Sequence, residues 1–193
     1  MYEIELKAHV KEPEKVSEKL HKIAKFIHSV KKEDSYYTLE KNSKRITARI
    51  RKETEFLNGG KKENFLLTYK KKEMRLDSSG NLIEVNDEKE TNLSSEEALS
   101  ELFLDSGFNI SLKKTKEVEV FQTDTKEGKC TLELCNVEPL GFFLEIEILS
   151  EKNDLQTVKN AEEIIKNFFF QCSLKESDIE EKYYSELLKE CRT

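Results

Sequence analysis

Alternating hydrophobic and polar residues mark β-strands along most of the chain. Within residues 2–9, Ile4 and Leu6 alternate with Glu3 and Glu5. A period of two is typical of a half-buried strand. The same period recurs over residues 34–40, 45–52, 64–72, 82–90, 110–122, 129–136 and 142–149. Short turns join most of these segments, so we expect a mainly antiparallel sheet of about eight strands.

Hydrophobic residues spaced three or four apart predict helices between the strands. The first helix begins at Pro13, a residue that suits the first helical position, and carries hydrophobic residues as far as Ile27. The second follows a cap at Ser94 or Ser95 and stops at Gly107.

The carboxyl-terminal part is predicted to be helical as well. One helix covers about residues 155–170, and another covers residues 178–190, where Ser177 and Glu180 match a capping box. Helices that follow groups of strands indicate an α+β fold with the helices packed outside the sheet.

The length of 193 residues corresponds to one domain, residues 1–193, with its carboxyl-terminal helices at about 155–190. The net charge of −6 argues against nucleic acid as a partner, because such binding depends on a basic surface. The chain has no apolar run near the roughly 20 residues of a membrane span and begins without a signal pattern. We therefore expect a cytoplasmic protein, without a membrane partner, whose four cysteines are reduced.

Charged residues are segregated among the strands by sign. Acidic pairs occupy two strands and basic pairs occupy three others. The residues concerned are Glu3 and Glu5 beside Lys7, Arg49 and Arg51, Lys70 and Lys72, Lys114 and Lys116, and Glu145 and Glu147. One interpretation is that these are solvated surface faces. Isolated surface salt bridges contribute little, however, and would not require such segregation.

A closed sheet would give the segregation a function. In a barrel, side chains alternate between the inside and the outside, so the charged set would line the lumen. Lysine and arginine gathered there would repel one another without a polyanion. The glutamates would then serve as ligands for Mg²⁺, which binds carboxylates together with substrate phosphates. This reasoning predicts a metal-bound polyphosphate as the guest.

The same residues resemble a known family, the CYTH superfamily. Glu3-Ile4-Glu5-Leu6-Lys7 resembles its E-x-E-x-K signature, and Arg49-Ile50-Arg51 its R-x-R strand. Leu67-Thr68-Tyr69-Lys70 resembles its L-T-Y-K segment, and residues 140–147 its L-G-x-F-x-E-x-E segment. Tyr184-Ser185-Glu186-Leu187-Leu188 resembles the carboxyl-terminal segment of the bacterial class IV adenylate cyclase branch. The resemblance implies an eight-stranded antiparallel β-barrel, the triphosphate tunnel.

Two positions depart from the family pattern. Lys114 and Lys116 stand where many relatives carry a K-x-R pair, and lysine lacks the bidentate fork of arginine. Cys135 stands where relatives often carry an aspartate. Glu133 lies on the same face as Cys135 and is a candidate to replace that carboxylate.

The resemblance also implies a chemistry for the charged residues. Phosphate binding and charge neutralisation fall to Lys7, Arg49, Arg51, Lys70, Lys114 and Lys116. Binding of Mg²⁺ or Mn²⁺ falls to Glu3, Glu5, Glu145 and Glu147, with Glu133 as a further candidate. The expected reaction converts ATP to 3′,5′-cyclic AMP and pyrophosphate.

Three alternatives remain at the level of the sequence. The first is a triphosphatase acting on thiamine triphosphate, inorganic triphosphate or a nucleoside triphosphate. The second is a non-catalytic sensor of nucleotide or polyphosphate. The third is a structural barrel with charges on its surface. A homodimer is an expectation that comes from the cyclase branch alone.

Overall fold

The computed structural model of the chain describes residues 2–41, 44–57, 60–76, 82–152 and 154–191. For residue 57 and for residues 70–76 and 82–88 it describes the backbone alone.

The described residues form nine strands and four α-helices. The strands are β1 (Tyr2–Val10), β2 (Lys25–Lys41), β3 (Lys44–Leu57), β4 (Gly60–Leu76), β5 (Leu82–Leu93), β6 (Asn109–Thr125), β7 (Gly128–Val137), β8 (Gly141–Ser150) and β9 (Ile179–Glu180). The helices are α1 (Pro13–Ile23), α2 (Glu97–Asp105), α3 (Leu155–Gln171) and α4 (Tyr184–Glu190).

These elements confirm the predicted fold class. The pairs β1–β8, β1–β9, β3–β4, β4–β5, β6–β7 and β7–β8 are all antiparallel. The eight predicted strands are present, most of them longer than predicted, and the two-residue β9 is added to them. Among the described residues, no helix combines the length and the apolar character that a membrane span requires.

The chain divides into two compact units, and β2 and β6 contribute residues to both. The first unit comprises Met1–Val30 and Lys116–Thr193, and its strands lie in the order β6-β7-β8-β1-β9. The second unit comprises Lys31–Thr115, with the order β5-β4-β3-β2. The expectation of a single domain over residues 1–193 stays a prediction.

In the first unit, one face of the sheet is apolar and packs against helices. Leu132, Leu144 and Ile146 have no exposed surface and form a cluster with Leu20 of α1 and Ile165 of α3. Burying side chains of this size contributes about 1.5–3 kcal/mol each. Since side chains alternate along a strand, the odd-numbered residues of β1, β7 and β8 lie on the opposite face.

Gly128, at the start of β7, lies very close to β8. Its φ is +143°, and an added Cβ would lie 2.1 Å from the carbonyl oxygen of Leu149. Only glycine permits that approach of two backbones. The glycine therefore helps to fix the register that aligns the charged residues of β7 and β8.

In the second unit, α2 is held against β2 by an aromatic contact. The rings of Tyr37 and Phe103 lie 5.1 Å apart, and the Tyr37 hydroxyl donates a hydrogen bond to Ser100 at 3.0 Å. The helix ends before Gly107, whose φ is +90°, as predicted. Its predicted cap is wrong, because the helix begins after Glu96 rather than after Ser94 or Ser95.

Two further boundaries differ from the prediction. The first helix ends at Ile23 rather than near Ile27, because residues from Lys25 onward pair in the sheet. In its strand, Phe26 contacts Phe121 with ring centroids 5.4 Å apart. Tertiary packing outweighs the helical spacing there.

The predicted helix over residues 178–190 is shorter than expected and starts at Tyr184. Ile179 and Glu180 instead form β9, which pairs with Ala8 and Lys7 of β1. Glu180 also lies 3.0 Å from His9 Nε2 and is therefore not the predicted capping residue.

Candidate functional site

The register of the first unit aligns charged residues across three strands. Glu5 of β1 lies opposite Glu147 of β8, and Lys7 lies opposite Glu145. Glu133 of β7 lies opposite Glu145 on its other side. Directly opposed residues point to the same face of a sheet. The face opposite α1 and α3 therefore carries most of the predicted metal ligands.

A buried ion pair lies at the centre of this face. Lys116 Nζ is 2.8 Å and 2.6 Å from the two carboxylate oxygens of Glu145, and 3.8 Å from the sulfur of Cys135. The side chains of Lys116 and Glu145 are only 6% and 10% exposed. Burial opposes the charge on Lys116, but Cys135 and Glu145 outweigh it and raise the pKa of this lysine.

The ligand atoms of Glu133, Cys135 and Glu145 lie within 4.8 Å of one another, a spacing that suits a single cation. The two carboxylates match the oxygen ligands that Mg²⁺ and Mn²⁺ take. The Cys135 thiol is a softer ligand, which Mg²⁺ does not select. The oxygen donors thus fit the predicted divalent cation, and the sulfur lies beside them. We name these three residues together with Lys116 the acid–lysine cluster.

Glu5 lies within the electrostatic field of the acid–lysine cluster. Its side chain is exposed to solvent, yet neighbouring protein atoms partly desolvate it. This desolvation, together with the charge of Glu145, raises the pKa of Glu5. A carboxylate surrounded in this way gains most from a nearby cation.

Tyr184, at the start of α4, borders the acid–lysine cluster. Its ring centroid lies 5.5 Å from Lys7 Nζ and 5.2 Å from Lys116 Nζ, and it makes an edge contact with Phe143. Burial and the charge of Glu145 raise the pKa of the Tyr184 hydroxyl. Burial also lowers the pKa of Lys7, against the opposing effect of Glu5 and Glu145.

A second charged group lies in the second unit, around Asp34 of β2. Arg51 binds Asp34 through two hydrogen bonds, of 2.7 Å from Nε and 3.1 Å from a terminal nitrogen. Lys114 Nζ lies 3.1 Å from the same carboxylate, whose side chain has no exposed surface. Burial alone would raise the pKa of Asp34, but Arg51 and Lys114 hold it well below its usual range.

Arg49 belongs to a hydrogen-bond network of the second unit that includes Thr68 and Glu90. Its terminal nitrogen donates to the Thr68 hydroxyl at 2.9 Å, and Thr68 donates to Glu90 at 2.9 Å. The Arg49 guanidinium also lies 3.6 Å from the Glu90 carboxylate. These contacts orient the guanidinium across β3, β4 and β5.

The predicted site residues thus divide into several sets. In the first unit, Lys116, Glu133 and Glu145 come together, and Lys7, Glu5 and Glu147 align beside them. Glu3 is exposed and lies farther along β1, opposite Leu149. In the second unit, Arg51 and Lys114 share Asp34, whereas Arg49 is held by Thr68. The side chains of Lys70 and Lys72 lie outside the described residues.

Sequence reasoning missed two residues of these groups. Asp34 lies in the predicted strand 34–40, and its spacing of two from Tyr36 and Thr38 indicates one polar face of that strand. Tyr184 lies in a segment singled out by the resemblance, but no periodicity connects it to strands β6 and β8. Its place depends on how α4 follows β9.

Comparison with solved structures supports the fold. Two proteins from Pyrococcus horikoshii OT3 share 28% and 26% sequence identity with this chain, both at a TM-score of 0.68. The matches cover 96% and 99% of this chain and 99% and 100% of theirs. No protein with a curated description matches the sequence.

Two more distant structures show the same fold. A candidate adenylate cyclase from Vibrio parahaemolyticus is 17% identical, covers 98% of both chains and has a TM-score of 0.68. A candidate adenylyl cyclase from Hippeastrum, described with a dominant triphosphatase activity, is 9% identical at a TM-score of 0.59. That match covers 98% of this chain and 95% of the other.

The profile of the CYTH domain matches residues 1–184, nearly the whole chain. It includes both acidic motifs and both basic strands from which the resemblance was drawn. The chain therefore belongs to the CYTH domain family, with its triphosphate-tunnel fold.

Proposed function

We propose that this protein catalyses a metal-dependent reaction of a nucleoside triphosphate, with the conversion of ATP to 3′,5′-cyclic AMP and pyrophosphate as the leading reaction. The observation that carries the proposal is the acid–lysine cluster, in which two carboxylates and an ammonium group meet on a partly buried sheet face. Carboxylates for a cation and cations for phosphate are the two chemistries that a metal triphosphate requires.

The carboxylates of Glu133, Glu145 and Glu5 are the proposed holders of Mg²⁺ or Mn²⁺, with Glu3 and Glu147 along the same strands. A bound divalent cation supplies neutralisation of the phosphate charge and a template for the substrate. Lys7 and Lys116 add positive charge where pyrophosphate departs. Because these lysines are partly or fully buried, their charges act in a medium of lowered dielectric constant.

Both arginines proposed to bind phosphate belong to the second unit. Asp34 holds the Arg51 guanidinium through two hydrogen bonds, so its remaining N–H groups are oriented before phosphate arrives. Thr68 and Glu90 orient Arg49 in the same sense. Lys114 and Lys70 are the proposed additional phosphate ligands. An oriented cation loses little conformational entropy on binding and therefore favours the transition state.

In the cyclase reaction, the ribose 3′ hydroxyl loses its proton and its oxygen forms a bond to the α-phosphorus, while the bond from that phosphorus to the bridging oxygen breaks. Pyrophosphate is the leaving group. Triphosphate hydrolysis is the second candidate, and the Hippeastrum protein of the same fold is described with that activity. There, water attacks the terminal phosphorus, the bond from that phosphorus to the bridging oxygen breaks, and the diphosphate leaves together with inorganic phosphate. Both reactions depend on positioning and charge neutralisation.

The products identify the reaction. We expect the protein incubated with ATP and Mg²⁺ or Mn²⁺ to yield cyclic AMP and pyrophosphate in equal amounts, measured by anion-exchange chromatography. ADP and phosphate would instead support the triphosphatase, with thiamine triphosphate and inorganic triphosphate tested in parallel. Absence of any product, together with measurable binding, would contradict the enzyme and support a polyphosphate sensor.

Ligand binding should also raise thermal stability. At a ligand concentration of 100 Kd, a ligand that binds only the folded state contributes about 2.7 kcal/mol. For a chain of this length, this corresponds to a rise in Tm of about 5–10 °C. Differential scanning fluorimetry with Mg²⁺ and inorganic tripolyphosphate measures the change, with Mg²⁺ and sodium sulfate as the control. An unchanged Tm would contradict a polyphosphate site.

A further inference from the structure

Both carboxylate oxygens of Glu145 are already bonded to a cation of the protein itself. The Lys116 ammonium lies 2.6 Å and 2.8 Å from them, inside the cluster whose three ligand atoms lie within 4.8 Å. A divalent cation bound by Glu145 would coordinate the same two oxygens, at about 2.0–2.6 Å. The ammonium and the divalent cation therefore compete for one carboxylate.

Electrostatics strengthens this competition. Lys116 is 5% exposed, so solvent screens its charge poorly. A divalent cation placed beside the fixed ammonium would be strongly repelled. Conversely, moving Lys116 away from Glu145 without another cation leaves a buried carboxylate without its counter-charge, which is unfavourable. The exchange is favourable only when a cation arrives at Glu145 and an anion is available to Lys116.

We propose that Lys116 is a built-in counter-ion that holds the metal ligand Glu145 and is displaced when the metal binds, so that the metal and a polyanion that accepts Lys116 bind cooperatively. This inference rests on the proposed function for its substrate. It adds to that function a dependence between the two ligands. The metal alone binds weakly, and the triphosphate strengthens metal binding by giving the Lys116 ammonium new oxygen acceptors. Linkage requires the metal to strengthen triphosphate binding by the same factor.

The groups around Lys116 come from several strands and one helix, and three of them are carboxylates. Glu145 lies on β8, Glu133 and Cys135 lie on β7, Glu5 lies on β1, and the Tyr184 ring comes from α4. Removing the ammonium therefore leaves an excess of negative charge in the acid–lysine cluster. That excess would attract a divalent cation.

The first test measures metal binding without any substrate. We expect Lys116→Met to bind Mn²⁺ at least about tenfold more tightly than the wild-type protein, which is the change produced by about 1.4 kcal/mol. Electron paramagnetic resonance of free Mn²⁺ gives the dissociation constant directly. Lys113→Met is the matched control, because Lys113 is exposed on the same strand and its loss changes the net charge equally. Its affinity for Mn²⁺ should stay within about twofold of the wild type.

A double variant locates the gain. In the Lys116→Met background, Glu145→Gln should abolish the increase in Mn²⁺ affinity. Equal affinity of the wild type and Lys116→Met would overturn the proposal, as would a gain that persists without the Glu145 carboxylate. Circular dichroism establishes that each variant is folded.

A measurement on the wild-type protein does not depend on a variant that folds. The ammonium signals of lysine side chains can be followed by ¹⁵N nuclear magnetic resonance while Mg²⁺ and tripolyphosphate are added together. We expect the pair to shift the Lys116 signal and to leave the Lys113 signal in place. An unmoved Lys116 signal at saturating Mg²⁺ and tripolyphosphate would overturn the displacement.

These results separate the inference from the proposed function. Suppose that Lys116→Met binds Mn²⁺ tightly through Glu145 while the wild-type protein turns over no triphosphate. This result supports the counter-ion role of Lys116 and contradicts the proposed reaction. Turnover of triphosphate with equal Mn²⁺ affinity in both proteins sustains the reaction and overturns the counter-ion.

Discussion

Replacing Glu145 with glutamine is expected to reduce metal-dependent turnover of ATP by about a thousandfold. In the acid–lysine cluster, Glu145 binds the Lys116 ammonium and is also a proposed metal ligand. Glutamine removes the charge of this side chain and keeps its shape. Charge stabilisation by a bound metal contributes several kcal/mol to the transition state, and each 1.36 kcal/mol changes the rate tenfold. The rate of product formation at saturating Mg²⁺ measures the loss.

The stability of Glu145→Gln shows whether its loss of activity is due to unfolding. The amide oxygen still accepts one hydrogen bond from Lys116, but the charge assistance is lost, which corresponds to about 2 kcal/mol. Urea denaturation should therefore show a folded but less stable variant. Glu117→Gln is the matched control, since Glu117 is exposed on β6 and undergoes the same chemical change. Normal turnover by Glu145→Gln would refute the assignment of Glu145 as a metal ligand.

Replacing Asp34 with asparagine is expected to lower the free energy of unfolding by about 3–5 kcal/mol, the effect of leaving buried charges without their partner. Asp34 binds Arg51 and Lys114 at once, and without its charge these two cations repel each other. Denaturation with urea at pH 7 measures the change. Asp105→Asn, at an exposed position in the last turn of α2, should stay within about 0.5 kcal/mol of the wild type.

The effect of Asp34 should depend on pH in a defined direction. Its pKa is lower in the folded state than in the unfolded chain, where an aspartate has a pKa of about 3.9. Its contribution to stability is therefore complete above about pH 5 and is lost as the pH falls below about 4 toward the folded-state pKa. The difference in unfolding free energy between wild type and Asp34→Asn should shrink in that acid range. A difference that is constant from pH 7 to pH 3 would contradict the ion-pair role of Asp34.

Glu145→Gln and Asp34→Asn should also differ in their effects on kcat and on triphosphate binding. Glu145→Gln removes a group proposed to act on the metal, so kcat should fall. Asp34 is a positioning residue that acts through Arg51, so its loss should weaken triphosphate binding as well.

Arg51→Ala is expected to reduce activity by orders of magnitude, because it removes the proposed phosphate ligand itself. Activity of Arg51→Ala near that of wild type would contradict this role.

Much of the fold could be predicted because its signals are local. The alternation in residues 2–9 placed Glu5 and Lys7 on one face of β1, and the structure places them there. The same holds for Glu145 and Glu147 on β8. Period-two patterning depends only on the geometry of the strand, which is independent of the partner strand. The helix over residues 178–190 was mispredicted because β1 offers Ile179 and Glu180 a pairing that no local pattern reveals.

The amino-acid sequence alone determined the antiparallel α+β class, the charged strand faces and the family, because each is written in residue type and spacing. The tertiary structure alone decided which charges meet. Lys116 of β6 reaches Glu145 of β8 across β7, the strand between them, and Arg51 and Lys114 reach one buried Asp34. These pairs join residues 17 to 80 positions apart. Their contacts depend on strand order, register and burial, and these properties exist only once the chain has folded.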